Sequence, residues 1–195
     1  MSKFKIVALS SSLSNPSKTA MLTQSVVGQL EAEGFELSVV NLRDIPPEAF
    51  FAYPVEHPEM VKAFAAIEAA DGIVIATPIY KSSFSGLLKC FLDLLPQFAF
   101  AGKAILPLAT GGSLAHVLAL DYSLRPVLQS MGARHIVQGH FLAEKDLLTD
   151  GGVVTLEAAA QRGVSEAVHH FKVSVASATG DRWLGHPRPE RAPNP

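Results

Sequence analysis

The chain has 195 residues, enough to bury one sizeable core, with a single domain as the starting expectation. It is 48% hydrophobic and 17% charged with a net charge of −2, which excludes a disordered chain and a strongly electrostatic nucleic-acid surface. One cysteine excludes an internal disulfide and fits a reducing cytoplasm, the opening Met1-Ser2-Lys3-Phe4-Lys5 lacks a cleavable signal, and no apolar run reaches the ~18 residues of a membrane span.

Residues 4–9 read as a buried strand, followed by a helix capped by Ser17 or Thr19 that runs to about residue 33. Its apolar face is Met21, Leu22, Val26 and Leu30, and Gly34 stops it. Residues 35–41 form a second strand, and 43–58 a long connection with Pro46, Pro47, Phe50, Phe51, Tyr53 and Pro54, a length that usually signals function or an interface. A helix over 59–70 presents Val61, Phe64, Ala65 and Ile67, and the continuous apolar run 72–76 is a third strand buried on both sides. Next come a helix over 85–95 ended by Pro96 and a fourth strand over 103–109 with Pro107 awkwardly inside it. Ser113 caps a helix to about Met131; a fifth strand over 134–141 and a last helix from 153 to about 178 follow, the latter facing inward with Val164, Val168 and Phe171. This alternation predicts a doubly wound parallel sheet. From residue 180 to 195 the prolines and charges read as a disordered tail after a domain over 1–179.

Three polar stretches follow apolar strands and lead into helical patterns: Ser10-Ser11-Ser12-Leu13-Ser14-Asn15-Pro16-Ser17-Lys18-Thr19, Thr77-Pro78-Ile79-Tyr80, and Thr110-Gly111-Gly112-Ser113. An open parallel sheet holds nucleotides at that edge. The first stretch offers backbone N–H groups at a helix N-terminus, the hydroxyls of Ser10, Ser12, Ser14, Ser17 and Thr19, and the charge of Lys18. Hydroxyls in place of a Gly-x-Gly-x-x-Gly run favour one phosphate, as in FMN, over a pyrophosphate. An ordinary polar turn with a helix cap is the plainer reading. Pro78, Ile79, Tyr80 and Lys81 form a stiff segment suited to lie along a flavin ring, or simply a turn closing the strand. Gly111 and Gly112 let backbone approach a flat ligand, or make a plain turn.

Other chemistry is sparse. Cys90 lies in the apolar Leu88-Lys89-Cys90-Phe91-Leu92 and reads as a buried inert thiol. The seven histidines lack metal-ligand spacing, so no metal site is expected. His116 is near the glycine pair, equally suited to ligand contact or to solvent, and there is no Gly-x-Ser-x-Gly elbow.

The run of residues 76–89, Ala-Thr-Pro-Ile-Tyr-Lys-Ser-Ser-Phe-Ser-Gly-Leu-Leu-Lys, resembles the signature of the NAD(P)H-dependent FMN reductase family. Residues 107–116 and 121–128 are similar to its alkanesulfonate-system branch, whose members supply reduced FMN to a partner monooxygenase. The resemblance spans roughly residues 5–143. Where many relatives carry Gly-Ser-x-Arg, this chain has Ser11-Ser12-Leu13-Ser14, leaving Lys18 as a point charge instead of an arginine fork. In that branch a tyrosine matching Tyr122 is an insertion that widens one helical turn into a π-type bulge; the alternative is an aromatic packed in a subunit contact.

The resemblance implies a flavodoxin-like five-stranded sheet and hydride transfer from NADPH or NADH to FMN. Position and backbone donors would do the protein's part, with no catalytic side chain. Tyr122 joins the three stretches as a candidate flavin-site residue. A cytoplasmic homo-dimer or tetramer is expected, serving a reduced-flavin-dependent monooxygenase in sulfonate sulfur assimilation. The rivals are a flavin-retaining quinone, azo or chromate reductase and a non-enzymatic flavodoxin, against which the small net charge argues.

Overall fold

The computed structural model describes residues 4–150 and 153–178. In chain order the elements are β1 (Lys5–Ser10), α1 (Lys18–Ala32), β2 (Glu36–Asn41), α2 (Pro58–Ala69), β3 (Gly72–Tyr80), β4 (Ser83–Phe84) and α3 (Gly86–Leu94). They continue with β5 (Ala104–Gly111), α4 (Arg125–Ser130), β6 (His135–Ile136), β7 (His140–Ala143), β8 (Leu147–Asp150), β9 (Val153–Leu156) and α5 (Ala158–Ala178).

Successive strand residues point to opposite faces, and both faces are covered. Ile6, Ala8, Val74, Ala76 and Leu106 pack against Leu22, Val26 and Leu30 of α1 and Val164, Val168 and Phe171 of α5. Val7, Leu9, Ile73, Ile75 and Ile105 share the opposite core with Met60, Ala63 and Ile67 of α2, Leu88 and Phe91 of α3, and Leu128 of α4. The approach of α5 is close: a Cβ on Gly72 would lie 2.7 Å from the Phe171 ring.

The parallel order is β2-β1-β3-β5-β6, with β7 continuing the fifth position along β5. This is a flavodoxin-like doubly wound sheet. The winding reverses between β1 and β3, and the crevice beyond their carboxyl ends is where such sheets bind ligands.

Several expected elements differ. The fifth strand over 134–141 is two pieces. Ile105 accepts a hydrogen bond from the Val137 N–H at 3.0 Å, and Pro107 has the same strand parity. Its nitrogen therefore faces the fifth strand with no proton to donate, and the register slips by one residue between Ile105↔Ile136 and Leu108↔His140. Gly139 sits at the slip, where a Cβ would come within 2.3 Å of the Pro107 carbonyl oxygen. The last helix starts at Ala158 rather than 153, because Val153–Leu156 pairs with Leu147–Asp150 in a separate antiparallel ribbon. The helix expected over 113–131 is a 3₁₀ turn (Leu114–His116), a π-turn (Leu120–Leu124) and the short α4. Thr77, Pro78, Ile79 and Tyr80 belong to β3, and Thr110 and Gly111 to β5, so these two stretches are strand ends rather than loops. On α2, Val61 and Ala65 are exposed while Met60 and Ala63 are buried with Ile67. The stretch 180–195 lies outside the described residues. Among those described, no helix is long and apolar enough to cross a membrane.

Candidate active site

The first stretch runs from the end of β1 into α1. Ser17 caps α1, its Oγ accepting from the Ala20 N–H at 3.1 Å, and Ser12 Oγ accepts from the Ser14 N–H at 3.2 Å. Each hydroxyl keeps its own proton to donate. The N–H groups of Lys18 and Thr19 open the helix and have no intrahelical acceptor by position. The first turn carries no acidic residue, although acids are favoured there. That donor set suits an anion such as the phosphate of FMN.

The inner side of this loop is locked to the sheet. Ser11 donates to the Ala76 carbonyl through both N–H (3.0 Å) and Oγ (3.1 Å). Ser85, the cap of α3, places its Oγ 2.9 Å from the Ser11 carbonyl, and the Ser85 N–H donates to Thr77 Oγ1 at 3.0 Å. Ser11, Thr77 and Ser85 are fully buried, so this network fixes the loop without facing a ligand. Ser10 is buried in β1. Thr19 is also buried, and its hydroxyl pairs with that of Thr110 at 2.7 Å, joining the first stretch to the third. Two further cross-contacts come from outside the stretch. Arg43, just beyond β2, donates through Nη1 to the Ser14 carbonyl at 2.5 Å. Lys18 Nζ donates to the Glu144 carbonyl at 3.0 Å, with the Glu144 carboxylate 3.5 Å away.

The second and third segments lie side by side, Pro78 in register with Thr110. Beyond them, Ile79↔Phe84 and Tyr80↔Ser83 close a tight hairpin whose two turn residues, Lys81 and Ser82, have φ of 50° and 65°. A two-residue turn with both central φ positive matches strand twist. Pro78 and Ile79 are buried, while Tyr80 and Lys81 are exposed at the tip, with Tyr80 Oη 3.5 Å from Ser14 Oγ. Gly111 and Gly112 differ. A Cβ on Gly111 would lie 2.9 Å from the Phe141 ring, whereas a Cβ on Gly112 meets no atom within 4 Å. Gly112 thus borders open space, as a flat ligand requires, and Gly111 is held by packing.

The π-turn stands beside the hairpin. The Arg125 N–H donates to the Leu120 carbonyl five residues back, and Tyr122 lies mid-turn, where the resemblance places a bulge. Ser123 Oγ lies 2.5 Å from Ser83 Oγ. Arg125 Nε donates to Asp121 Oδ1 at 2.9 Å, and its Nη atoms donate to the Ile136 and Val137 carbonyls at 3.0 and 3.3 Å. Tyr122 itself is 79% exposed. Cys90 is half-buried against the core. His116 is half-buried as well, its Nδ1 buried without a partner among the described residues.

Arg43, Glu144, Ser85 and Ser123 were not singled out by sequence reasoning. Arg43 lies two residues after β2 and Glu144 directly after β7, and position at the carboxyl edge is the signal that would have found them.

The sequence pattern of the family described as NADPH-dependent FMN reductase matches residues 4–147. An FMN reductase (NADPH) of Pseudomonas putida (strain KT2440) is 35% identical over 173 residues, 88% of each chain. NADH-dependent FMN reductase SfnE of Pseudomonas putida is 35% identical over 146 residues, 73% of this chain and 78% of its own. Among solved structures, the apo form of an NADH:FMN oxidoreductase (EMOB) superposes with a TM-score of 0.85 at 45% identity, covering 96% of this chain and 98% of its own.

Proposed function

This chain belongs to the NADPH-dependent FMN reductase family; it is an NAD(P)H-dependent FMN reductase, and we propose that it hands the reduced flavin to a partner monooxygenase in sulfonate sulfur assimilation. The observation that carries the site reading is the acid-free N-terminus of α1, set at the reversal point of the sheet beside the open backbone at Gly112. FMN supplies the hydride-accepting chemistry. The chain's share is positional. Ser12 and Ser17 hydroxyls, the Lys18 and Thr19 N–H groups and the Lys18 ammonium would hold the phosphate. The strand end at Pro78, Ile79 and Tyr80 and the backbone of Gly112 would flank the ring, with Lys81 and Tyr122 at its margin. No side-chain acid or base is assigned a proton.

Release rather than retention of the flavin is supported by the anion site, whose Lys18 ammonium is already engaged by Glu144. The sulfonate setting rests on the blocks 107–116 and 121–128 and on the π-turn they enclose. Assembly as a homo-dimer or tetramer is supported by the exposed apolar side chains of Leu114, Leu118 and Tyr122 next to the site.

Relatives named for NADPH and for NADH stand at the same 35% identity, so both coenzymes belong in the assay. The purified protein should carry little FMN and oxidise NADPH or NADH in the steady state only when free FMN is added. Firmly retained flavin, with a quinone sustaining turnover in the absence of added FMN, would instead make it a flavin-retaining reductase.

A further inference from the structure

We propose that Glu144 sets how tightly the flavin phosphate is held, by competing with it for Lys18. The inference rests on the phosphate reading of the α1 N-terminus given above. Lys18 is the first residue of α1, directly after the Ser17 cap, so its ammonium is the cation nearest the helix donors along the chain. Glu144 opens the 3₁₀ turn Glu144–Asp146 that follows β7, at the same carboxyl edge but 126 residues away. Two of its oxygens face that ammonium, the backbone carbonyl at 3.0 Å and carboxylate Oε2 at 3.5 Å.

Three facts make this a competition rather than a fixed strut. The two side chains are about half exposed, at 45% and 47%, so each can swing into solvent without breaking the core. The first turn of α1 carries no acid of its own, so Glu144 is a negative charge brought to this N-terminus from elsewhere in the chain. The other cation at the loop, Arg43, is engaged differently, through Nη1 on the Ser14 carbonyl with Nε 3.9 Å from Asp44. An arriving phosphate has to share the Lys18 ammonium with the Glu144 carboxylate, which offsets part of the positive charge and competes for its three protons. The carboxylate therefore weakens FMN and leaves riboflavin, which lacks the phosphate, unaffected. That discrimination marks Glu144 as a residue tuning specificity and release.

The test is titration of FMN and of riboflavin by fluorescence quenching at low ionic strength, with wild type, Glu144→Gln, Lys18→Met and the double variant. Circular dichroism checks that each is folded. Glu144→Gln should tighten FMN about three- to fivefold, the span of a half-exposed ion pair, with riboflavin within twofold of wild type (~0.4 kcal/mol). The gain should vanish in the Lys18→Met background, as coupled residues behave in a double-mutant cycle. If wild type prefers FMN but Glu144→Gln leaves the FMN-to-riboflavin ratio unchanged, the competition is overturned and the phosphate site stands. An equal gain with and without Lys18 also overturns it, since Glu144 would then repel phosphate directly. Equal wild-type affinity for the two flavins would remove the phosphate site itself and the inference with it.

Discussion

Gly111 and Gly112 are neighbours that are glycine for opposite reasons. The missing Cβ of Gly111 leaves room for the Phe141 ring, while that of Gly112 borders open space. Gly112→Val should therefore leave thermal unfolding unchanged and weaken FMN by on the order of tenfold, about 1.4 kcal/mol. Gly111→Ala should cost about 1–3 kcal/mol of stability by overpacking. Denaturant unfolding and flavin titration on both variants check the pair. Unchanged FMN affinity in Gly112→Val would reduce that glycine to a turn residue. A Gly-Gly pair was visible in the sequence, but the sequence does not say which of the two is held by packing, because that is decided by Phe141, thirty residues on. The same holds elsewhere in the site. The hydroxyls of Ser12 and Ser17 could be read from a local pattern, since a helix cap is a local event. Arg43 and Glu144 could not, because their contacts are made across the fold.

At the scale of elements, strands β1 and β2 and the first five residues of β3 were legible because each is a β-branched apolar run that follows or precedes a helical pattern, whereas the 77–80 end of β3, which runs on into the β4 hairpin, was not. The ribbon β8–β9 was not. Its residues Val153, Val154 and Leu156 merge in sequence with the apolar positions of α5, and a helical period absorbed them. The break between β6 and β7 follows from Pro107, whose effect falls on a different strand. How α5 meets that broken strand gives two predictions. Gly163 lies inside α5, where alanine would ordinarily gain up to about 1 kcal/mol of helix propensity. Here a Cβ would fall 2.3 Å from the His140 ring, and overpacking at about 1–3 kcal/mol outweighs the gain. Gly163→Ala should thus be net destabilising in urea unfolding; a stabilised variant would show that the ring simply moves aside. Burial of His140 holds its pKa below the ordinary value of about 6.5 by desolvation. Below pH ~6.5 the unfolded chain takes up a proton that folded His140 resists, so this contribution to stability is complete above that pH and is lost as pH falls toward the folded value. His140→Gln should flatten the change in urea midpoint between pH 7.5 and 5.5. An identical pH slope in both proteins would exclude His140 as its source.

The molecule as a whole exposes apolar side chains unevenly. Leu114, Leu118 and Tyr122 are 63%, 55% and 79% exposed on the segment that follows Gly112, and Phe51 and Tyr53 are 84% and 90% exposed on the connection after β2. Concentrated exposure of this kind marks an interaction surface. The π-turn carrying Tyr122 is pinned within its own subunit by the Ser123–Ser83 contact and by the Arg125 contacts to Asp121, Ile136 and Val137. Tyr122 adds little to that pinning, because its side chain points outward. Replacing it with alanine should therefore leave the unfolding of a dilute, dissociated subunit within about 0.5 kcal/mol of wild type. Any larger effect must arise between subunits. We expect light scattering to show a dimer or tetramer for wild type and a shift in its assembly for Tyr122→Ala. Deleting Tyr122 should also return the turn to a regular i→i−4 ladder, remove its widened geometry beside the hairpin, and slow the loss of flavin. FMN carried through purification should then rise while steady-state turnover of free FMN falls. If both variants keep the wild-type mass, flavin content and turnover, the π-turn is a local packing solution with no part in assembly or flavin exchange.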